Sequence, residues 1–380
     1  MKRDNLPKIR LLIYIYSMSS GGAERVTANL ANYWAANGWD ITIATLLPQS
    51  QDFYELHPAV KRVVLGMGSD SGNALVGLWQ NIRRALALRK LLREMRPDIG
   101  LAMMTTANIL MALAAWRLPA IRTIGAEHNH PPQKPLGILW ETLRSKTYGW
   151  LNAVTTLASE GEAWIKDNTN AKKIAVIPNA VTWPLPEHEP RISPSVFHKP
   201  ERQLLLAVGR LHNQKGFDWL IEAFSNLAHN HPNWDLVILG EGLLRPLLEG
   251  QVRESGLEKR IFLPGRVGNL GEWYKSADIY VMSSRYEGFG NTLVEAMAHG
   301  LAVLSFDCDT GPRDIIRHEV DGLLVPPKDI AALTATLDKL MGNDSLRLQL
   351  AERATDARER FSMEKITQQW EHLFNEVLEE

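Results

Sequence analysis

Short apolar runs alternate with amphipathic stretches along most of the chain, and this alternation constrains the fold more than any other feature. Strands that alternate with helices form parallel sheets covered by helices on both faces. The sequence therefore predicts an α/β protein with doubly wound parallel sheets. The candidate strands are 9–16, 41–47, 61–65, 98–104, 121–126, 152–158 and 174–177, then 203–208, 235–239, 260–263, 278–282, 302–306 and 322–325. The amphipathic stretches include 22–37, 80–95, 216–230, 243–255 and 290–299.

A proline-rich segment with little hydrophobic periodicity divides the chain into two similar halves. A length of 380 residues is large for one core and natural for two domains. We predict Rossmann-like domains at 1–183 and 184–361. The apolar stripe of the tail, 362–380, predicts a helix that packs back on the first domain. The prolines of the segment are Pro178, Pro184, Pro186, Pro190, Pro194 and Pro200.

Composition excludes several classes of protein. Hydrophobic residues make up 45% of the chain and charged residues 22%, as in globular proteins. The formal net charge of −1 gives no support to nucleic acid binding. Cys308 is the single cysteine, which excludes an internal disulfide and fits a reducing compartment. Since no apolar run approaches the ~20 residues that span a bilayer, we expect a cytoplasmic protein, resting at most on a membrane surface.

Two carboxylates in a glycine-rich stretch indicate a ligand site in the second half. Glu287 lies in a loop, and Glu295 lies on the helix that the loop opens. Gly288 and Gly290 let the chain bend and bring N–H groups close to a ligand. The helix N-terminus adds a partial positive charge that suits a phosphate. The loop can hold a polyhydroxy group at Glu287, a phosphate at its amides and a second diol at Glu295, which describes a sugar-nucleotide site.

Two further motifs follow predicted strands, where ligands bind in open parallel sheets. Arg210 and Lys215 come directly after strand 203–208. They can clamp a diphosphate, Arg with its fork and Lys as a point charge, or they can lie in a solvated turn. Gly21 and Gly22 follow the first strand and allow close backbone approach to a ligand, or they serve tight packing at a helix start.

Three more strand ends carry polar residues. His128, in Glu127-His128-Asn129-His130, can bind a reacting sugar or orient an acceptor, or it is a polar loop residue. The spacing of the two histidines does not favour a metal site. The peptide groups of Gly265-Arg266-Val267 can bond a base edge or form a tight turn. Asp307-Cys308-Asp309 matches a metal–diphosphate pattern, but its position favours loop chemistry, so we expect neither a metal nor a cofactor.

One amphipathic segment, 82–96, has a strong local charge of six basic residues against one acidic residue. Such helices lie on anionic membranes or bind polyanions such as pyrophosphate-linked lipids. The alternative is a sheet-covering helix with a solvated basic face. The basic residues are Arg83, Arg84, Arg89, Lys90, Arg93 and Arg96.

Taken together, these segments resemble family 4 of the GT-B glycosyltransferases, with order and spacing that agree along nearly the whole chain. Bacterial enzymes that extend lipid-linked oligosaccharides, N-acetylgalactosaminyltransferases among them, and exopolysaccharide transferases look most similar. The matching stretches are Ser20-Gly21-Gly22-Ala23-Glu24-Arg25, Glu127-His128, Gly209-Arg210-Leu211, Lys215-Gly216, Gly265-Arg266-Val267, Ala277-Asp278, Glu287-Gly288-Phe289-Gly290-Asn291-Thr292-Leu293-Val294-Glu295-Ala296 and Asp321-Gly322-Leu323-Leu324-Val325.

The resemblance implies two Rossmann-like domains that face a central cleft, and it implies a role for each matching residue. Arg210 and Lys215 would hold the diphosphate, and Glu295 would bind the ribose hydroxyls. Glu287 would bind the hydroxyls of the donor sugar, and His128 would touch that sugar near the reacting carbon. The remaining substrate-binding residues implied are Gly21, Gly22, Glu127, Arg266, Val267, Phe289, Gly290, Asn291 and Thr292.

The activity that the resemblance implies is metal-independent, retaining transfer of a hexose or N-acetylhexosamine from a UDP-sugar. The acceptor would be a saccharide on a polyprenyl pyrophosphate or another lipid, in bacterial surface polysaccharide or glycan assembly. The implied location is the cytoplasmic face of the inner membrane, with helix 82–96 against anionic lipid. Since the same fold serves other chemistry, the alternatives are a sugar-nucleotide epimerase, a phosphorylase and a non-catalytic nucleotide-sugar-binding subunit.

Overall fold

A computed structural model of the chain describes residues 9–68, 74–133, 135–199 and 201–380. Pro200 of the proline-rich segment lies outside these ranges. The chain divides into two compact units. The first contains residues 1–180 together with 363–380, and the second contains residues 181–362.

The first unit is built on a seven-stranded parallel sheet with the order β3-β2-β1-β4-β5-β6-β7. Its inner strands are buried on both faces, which explains why they read as almost continuous apolar runs. The strands are β1 (Arg10–Tyr14), β2 (Asp40–Thr45), β3 (Lys61–Val64), β4 (Ile99–Met103), β5 (Arg122–Glu127), β6 (Ala153–Thr156) and β7 (Ile174–Val176).

Helices cover both faces of this sheet. Successive residues of β1 point to opposite sides, so Leu11 and Ile13 enter one apolar core while Leu12 and Tyr14 enter the other. The helices that follow the strands are α1 (Gly22–Ala36), α2 (Ala74–Met95), α3 (Thr105–Ala115), α4 (Ile138–Thr147) and α5 (Ser159–Asn168).

The second unit repeats this plan with a six-stranded parallel sheet in the order β10-β9-β8-β11-β12-β13. Its strands are β8 (Gln203–Val208), β9 (Trp234–Leu239), β10 (Ile261–Gly265), β11 (Ile279–Met282), β12 (Ala302–Phe306) and β13 (Leu323–Val325). Its helices are α6 (Phe217–Leu227), α7 (Arg245–Ser255), α8 (Leu270–Ser276), α9 (Asn291–Ala298), α10 (Pro312–Ile315), α11 (Ile330–Met341), α12 (Asp344–Ala354) and α13 (Ala357–Arg360). The predicted doubly wound parallel-sheet fold is confirmed, and all the predicted strands are present.

The tail forms α14 (Met363–Glu379), which lies in the first unit. Its apolar stripe joins the core on the α1 side of the sheet. Phe374 packs between Trp34 and Trp370, with ring centroids 5.3 Å and 5.8 Å away. The amphipathic pattern that predicted the helix is therefore explained by burial of this stripe against α1.

The strand order of each sheet reverses beside the first strand of its unit. In the first unit the reversal lies between β1 and β4, and in the second between β8 and β11. Open α/β sheets bind ligands outside the carboxyl ends of strands at such a point. No helix in the described part of the chain combines the length and the apolar character needed to cross a bilayer.

Candidate functional site

A largely buried ion pair lies at the reversal point of the second sheet. Lys215 follows β8 and Glu287 follows β11, and these two strands are direct neighbours. Lys215 Nζ lies 2.5 Å from Glu287 Oε1, and the two side chains are only 18% and 8% exposed. Limited solvation strengthens a charge-assisted hydrogen bond of this kind and holds both groups in place. The structure thus brings together a cation and a carboxylate that the sequence places 72 residues apart.

Glu287 is oriented by two further hydroxyls. Ser284 Oγ donates to Glu287 Oε1 at 2.5 Å, and Thr310 Oγ1 donates to the Glu287 backbone carbonyl. Both hydroxyl residues are buried. In the described part of the chain no protein donor bonds Glu287 Oε2, so this oxygen is available to a ligand hydroxyl. Sequence analysis did not identify Ser284 or Thr310. Thr310 reaches Glu287 from a separate loop, which no local pattern indicates.

The loops that carry Lys215 and Glu287 are locked to each other. Gly216 has a φ of +60°, and a Cβ at this position would lie 2.1 Å from the carbonyl oxygen of Ser283. Ser283 Oγ donates to the Lys215 carbonyl at 2.9 Å. Arg285 binds the Asp218 carboxylate at 2.6 Å and lies over the Trp219 ring at 3.6 Å. Close backbone approach at Gly216 therefore sets the Lys215–Glu287 geometry.

The second predicted carboxylate lies on α9. Glu295 is buried and accepts a hydrogen bond from Tyr274 at 3.2 Å. Gly290 precedes the helix with a φ of +115°, and its neighbours Phe289 and Asn291 complete the turn into the helix. Thr292 Oγ1 accepts from Tyr280 at 2.7 Å. The tyrosines of α8 and β11 hold the helix face that carries Glu295, and no sequence pattern predicts these two contacts.

The other predicted residues of the second unit are exposed or lie farther along the sheet. Arg210 is exposed at the same strand end as Lys215. Arg266 is also exposed, but it follows β10, which is separated from β8 by β9. Val267 beside it is buried. Arg210 thus follows the same strand as Lys215, whereas Arg266 and Val267 follow the edge strand β10.

In the first unit, Glu127 ends β5 and is almost completely buried. Thr105 Oγ1 lies 2.8 Å from both carboxylate oxygens, and the Tyr148 hydroxyl donates to Oε2 at 2.7 Å. The backbone N–H of Asn129 donates to Oε1 at 3.3 Å. Burial raises the pKa of Glu127, although these donors and Arg144 act in the opposite direction. The protein's own donors therefore engage both oxygens of this predicted substrate ligand.

His128 follows Glu127 and is partly buried. Loss of water around its ring lowers the pKa of His128 to about 4. The imidazole is therefore neutral near pH 7, with one nitrogen as a donor and the other as an acceptor.

Of the two glycines at the start of α1, one serves tight packing. A Cβ at Gly21 would lie 2.0 Å from Glu24 Oε2, so glycine makes room for that carboxylate. Ser17 Oγ donates to Glu24 Oε1 at 3.2 Å, and the Tyr54 hydroxyl donates to the Gly21 carbonyl at 3.1 Å. Gly22 is exposed. The tight-packing alternative thus accounts for Gly21, while Gly22 stays accessible from solvent.

The segment Asp307-Cys308-Asp309 makes contacts within the protein. Asp307 pairs with Arg313 at 2.8 Å. Cys308 is buried, and burial raises the pKa of its thiol to about 12. Across the described ranges, no group of three or more histidine, cysteine and carboxylate side chains converges as a metal site.

The basic segment was predicted at 82–96, within the amphipathic stretch that starts at 80. The helix begins earlier and ends one residue earlier than this segment, since α2 is Ala74–Met95. Two of its arginines have structural partners. Arg84 donates to the Met67 carbonyl, and Arg89 donates to the carbonyls of Ala114 and Trp116 at 2.7 Å. Arg83, Lys90, Arg93 and Arg96 are exposed. Some basic side chains of this segment therefore support the fold through hydrogen bonds, and the others lie at the surface.

Two Rossmann-like units are the defining feature of GT-B proteins. The matches to known families agree with this assignment of the chain. A family model described as Glycosyltransferase Family 4 matches residues 20–182. A second model, described as Glycosyl transferases group 1, matches residues 189–357. The chain belongs to the GT-B glycosyltransferases that resemble family 4, so the predicted resemblance is confirmed.

Several known proteins are similar over long stretches. An exopolysaccharide phosphotransferase of Streptomyces coelicolor is 31% identical over 304 residues, which are 79% of this chain, and the chain spans only 31% of that protein. A GalNAc-alpha-(1->4)-GalNAc-alpha-(1->3)-diNAcBac-PP-undecaprenol alpha-1,4-N-acetyl-D-galactosaminyltransferase of Campylobacter jejuni is 27% identical over 372 residues, 97% of this chain and 99% of that protein. Among solved structures, HepE of Anabaena in complex with UDP shares the fold, with a TM-score of 0.78 at 18% identity over 97% of this chain and 100% of the other.

Proposed function

We propose that the protein is a retaining glycosyltransferase that moves a hexose or an N-acetylhexosamine from a UDP-sugar to a saccharide acceptor. The observation that carries this proposal is the Lys215–Glu287 pair at the reversal point of the second sheet. A diphosphate needs a fixed cation, and a sugar needs a fixed acceptor of hydroxyl hydrogen bonds. Lys215 supplies the cation and Glu287 supplies the acceptor, and the two groups lie within hydrogen-bonding distance of each other. The complex of HepE with UDP supports the choice of nucleotide.

In the proposed mechanism, the second unit stabilises the leaving diphosphate. Negative charge grows on the diphosphate as the bond to the sugar breaks. The Lys215 ammonium has three donors, so it can keep its bond to Glu287 while it binds a phosphate oxygen. Arg210, exposed at the same strand end, adds a second cation with a planar fork. The first turn of α9 adds the partial positive charge of a helix N-terminus.

The carboxylates hold hydroxyl groups of the donor. Ser284 and Lys215 fix Glu287 Oε1, and Glu287 Oε2 accepts from a hydroxyl of the sugar. Glu295 on α9 accepts from the ribose hydroxyls. His128 in the first unit is neutral at physiological pH, so its ring offers one hydrogen-bond donor and one acceptor. Glu127 positions the loop of His128 through the Asn129 N–H.

The acceptor in this proposal is a lipid-linked saccharide, and the reaction takes place at the cytoplasmic face of a bacterial inner membrane, in polysaccharide or glycan assembly. The Campylobacter jejuni relative supports this choice, since its name specifies an acceptor on PP-undecaprenol. The exposed Arg83, Lys90 and Arg93 of α2 support it as well, because cations favour an anionic surface.

A transfer assay tests the proposal. The protein is incubated with a panel of UDP-sugars and a polyprenyl-pyrophosphate-linked saccharide, and UDP release and the anomeric configuration of the product are measured. We expect acceptor-dependent UDP release with retention of configuration. Lys215→Ala and Glu287→Gln should each lower kcat/KM by about 100-fold or more, as expected for groups that stabilise developing charge. Lys259→Ala, at an exposed lysine of the same unit, serves as the matched control.

The same assay separates the alternatives. UDP-sugar interconversion without an acceptor would assign an epimerase, and phosphate-dependent release of a sugar 1-phosphate would assign a phosphorylase. Tight UDP binding without turnover on any acceptor would assign a binding subunit. Full activity of both Lys215→Ala and Glu287→Gln would reject the proposed site.

A further inference from the structure

Three aromatic side chains of the second unit form a continuous cluster that ends at Glu295. The rings of Tyr274 and His299 have centroids 5.0 Å apart, with an interplanar angle of 36°. The rings of His299 and Trp183 have centroids 4.3 Å apart in a T-shaped arrangement. The Tyr274 hydroxyl donates to Glu295 Oε2 at 3.2 Å. Tyr274, His299 and Trp183, which we term the aromatic cluster, thus connect Glu295 to the residues that begin the second unit.

His299 lies in the middle of the aromatic cluster, directly after α9. Its Nδ1 lies 2.7 Å from the carbonyl oxygen of Glu295, to which its backbone N–H also donates at 3.0 Å. Nδ1 therefore carries the proton, because a carbonyl oxygen is only an acceptor. Burial lowers the pKa of His299, and Lys275 and Arg358 act in the same direction, against the effect of the carbonyl. The ring is therefore neutral near pH 7 and packs in the cluster without a charge.

Trp183 forms the far end of the aromatic cluster and is held in place by Arg358. The Arg358 guanidinium lies over the indole ring at 4.2 Å, where the negative face of the ring attracts a cation. Arg358 Nε also donates to the carbonyl of Ala298 at 2.5 Å. The N–H of Val181 donates to the Phe361 carbonyl at 2.8 Å, so the first and last residues of the second unit lie side by side. The indole is therefore fixed by contacts from both ends of this unit.

Tyr274 contacts the Glu295 carboxylate from α8, and the rest of the cluster supports its ring. Glu295 is buried, so its carboxylate depends on donors from the protein or from a ligand. The Tyr274 hydroxyl reaches this carboxylate only while the tyrosine ring keeps its orientation, and the His299 ring packs against it. An acceptor that is fixed before a ligand arrives needs less ordering on binding than a mobile one.

We propose that Trp183 and His299 are positioning residues for nucleotide binding. Their rings hold Tyr274 in place, and Tyr274 in turn fixes the Glu295 carboxylate for the ribose hydroxyls of UDP. Both residues act through Tyr274 and not through contact with the nucleotide. This step rests on the proposed function, which assigns the ribose to Glu295, and it extends the nucleotide site to residues at the start of the second unit.

Calorimetric titration with two nucleotides tests the proposal. UDP has both ribose hydroxyls, and 2′,3′-dideoxy-UDP has neither. We expect Trp183→Ala to bind UDP about tenfold more weakly than the unchanged protein, because Tyr274 and Glu295 must then be ordered on binding. Its affinity for 2′,3′-dideoxy-UDP should equal that of the unchanged protein, since no hydroxyl then meets Glu295. A general structural defect would lower both affinities by the same factor, and that result would overturn the proposal.

Two variants of His299 separate its ring from its hydrogen bond. His299→Asn keeps a side-chain donor for the Glu295 carbonyl and removes the ring, so its UDP affinity should fall as in Trp183→Ala. His299→Phe keeps a ring and removes the donor, while the backbone N–H still donates to that carbonyl. Its UDP affinity should stay within about twofold of the unchanged protein, and so should that of Trp183→Phe. A larger loss in His299→Phe than in His299→Asn would contradict the role of the ring.

A tryptophan of the first unit provides the matched control. Trp116 is 50% exposed, compared with 39% for Trp183, and Trp116→Ala should bind both nucleotides as the unchanged protein does. Binding of 2′,3′-dideoxy-UDP with unchanged affinity also shows that a cluster variant is folded. If Trp183→Ala does not fold, His299→Asn gives the same comparison with a smaller change.

Failure of this proposal and failure of the proposed function give different results. If the unchanged protein binds the two nucleotides equally, Glu295 does not bind the ribose and the positioning role is rejected with it. If the unchanged protein prefers UDP and the cluster variants keep the full preference, the positioning role is rejected while the nucleotide site stands. If the cluster variants lose the preference but the unchanged protein transfers no sugar, the glycosyltransferase mechanism is rejected while the positioning role stands.

Discussion

At the scale of single residues, Glu127 shows what contacts add to a motif. The sequence predicts a substrate ligand from the Glu127-His128 pair. The structure surrounds the carboxylate with donors from Thr105, Tyr148 and the Asn129 backbone. Thr105 opens the helix after the neighbouring strand β4, and Tyr148 follows α4. Partners 22 and 21 residues away, brought in by separate crossovers, leave no pattern in the sequence.

The low pKa of His128 predicts a pH dependence of stability. The folded state binds the proton with a pKa of about 4, while an unfolded histidine titrates near 6.5. Protonation therefore favours unfolding, so the full contribution is present above pH 6.5 and falls as the pH drops towards 4. His128→Gln removes this titration. Chemical denaturation between pH 4 and 7 should show the unchanged protein losing about 2–3 kcal/mol relative to the variant. A constant difference between the two proteins over that range would contradict the expected burial of the ring.

At the scale of helices and strands, buried elements are the predictable ones. Strands such as β4 and β12 are buried along their whole length and read as apolar runs with few alternatives. The start of α2 was missed by six residues, because Val76, Leu78 and Trp79 are exposed and blur the amphipathic period. Exposed apolar side chains of this kind conflict with the periodic pattern that predicts an amphipathic helix.

The loop between β8 and α6 gives a prediction at the same scale. Gly216→Ala adds a Cβ that would meet the Ser283 carbonyl and places a side chain at a φ of +60°. We expect a loss of more than about 2 kcal/mol in the free energy of unfolding, because the left-handed strain of ~1–2 kcal/mol adds to a backbone clash. Donor binding should weaken as well, since the loop orients Lys215. Urea denaturation measures the first effect and calorimetry with UDP the second.

Gly256 provides the matched control for Gly216. It has a similar φ of +68°, but no atom lies within 4 Å of a Cβ built there. Gly256→Ala should therefore lose only the strain of about 1 kcal/mol and keep its affinity for UDP. Equal losses in the two variants would mean that the contact with Ser283 does not constrain the loop.

At the scale of the whole molecule, repetition of one α/β plan made the fold predictable. Each unit has a parallel sheet whose order reverses beside its first strand. Alternating strands and helices predict this plan because a parallel sheet needs crossover helices on both faces. The helix α14 was equally predictable from its apolar stripe, since an amphipathic helix needs a core in which to bury residues such as Trp370 and Phe374.

The residues of the site were predictable in part, for a physical reason. Glycines and charges at strand ends, such as Lys215 and Glu287, are visible because sheet topology brings strand ends together. The hydroxyl groups that contact Glu287 and Glu295 belong to Ser284 in the Glu287 loop, Thr310 in another loop and Tyr274 on α8. These are common residue types, and only tertiary packing selects them. The roles assigned to the site residues in binding and transfer remain predictions.

Calorimetric titration of UDP into the unchanged protein and into Lys215→Ala tests the central claim most directly. The claim is that a donor diphosphate binds at the reversal point of the second sheet, against Lys215. We predict saturable UDP binding by the unchanged protein and by Lys259→Ala, and an affinity at least about tenfold lower for Lys215→Ala, which corresponds to about 1.4 kcal/mol. Equal UDP affinity in all three proteins, or no UDP binding by any of them, would contradict it.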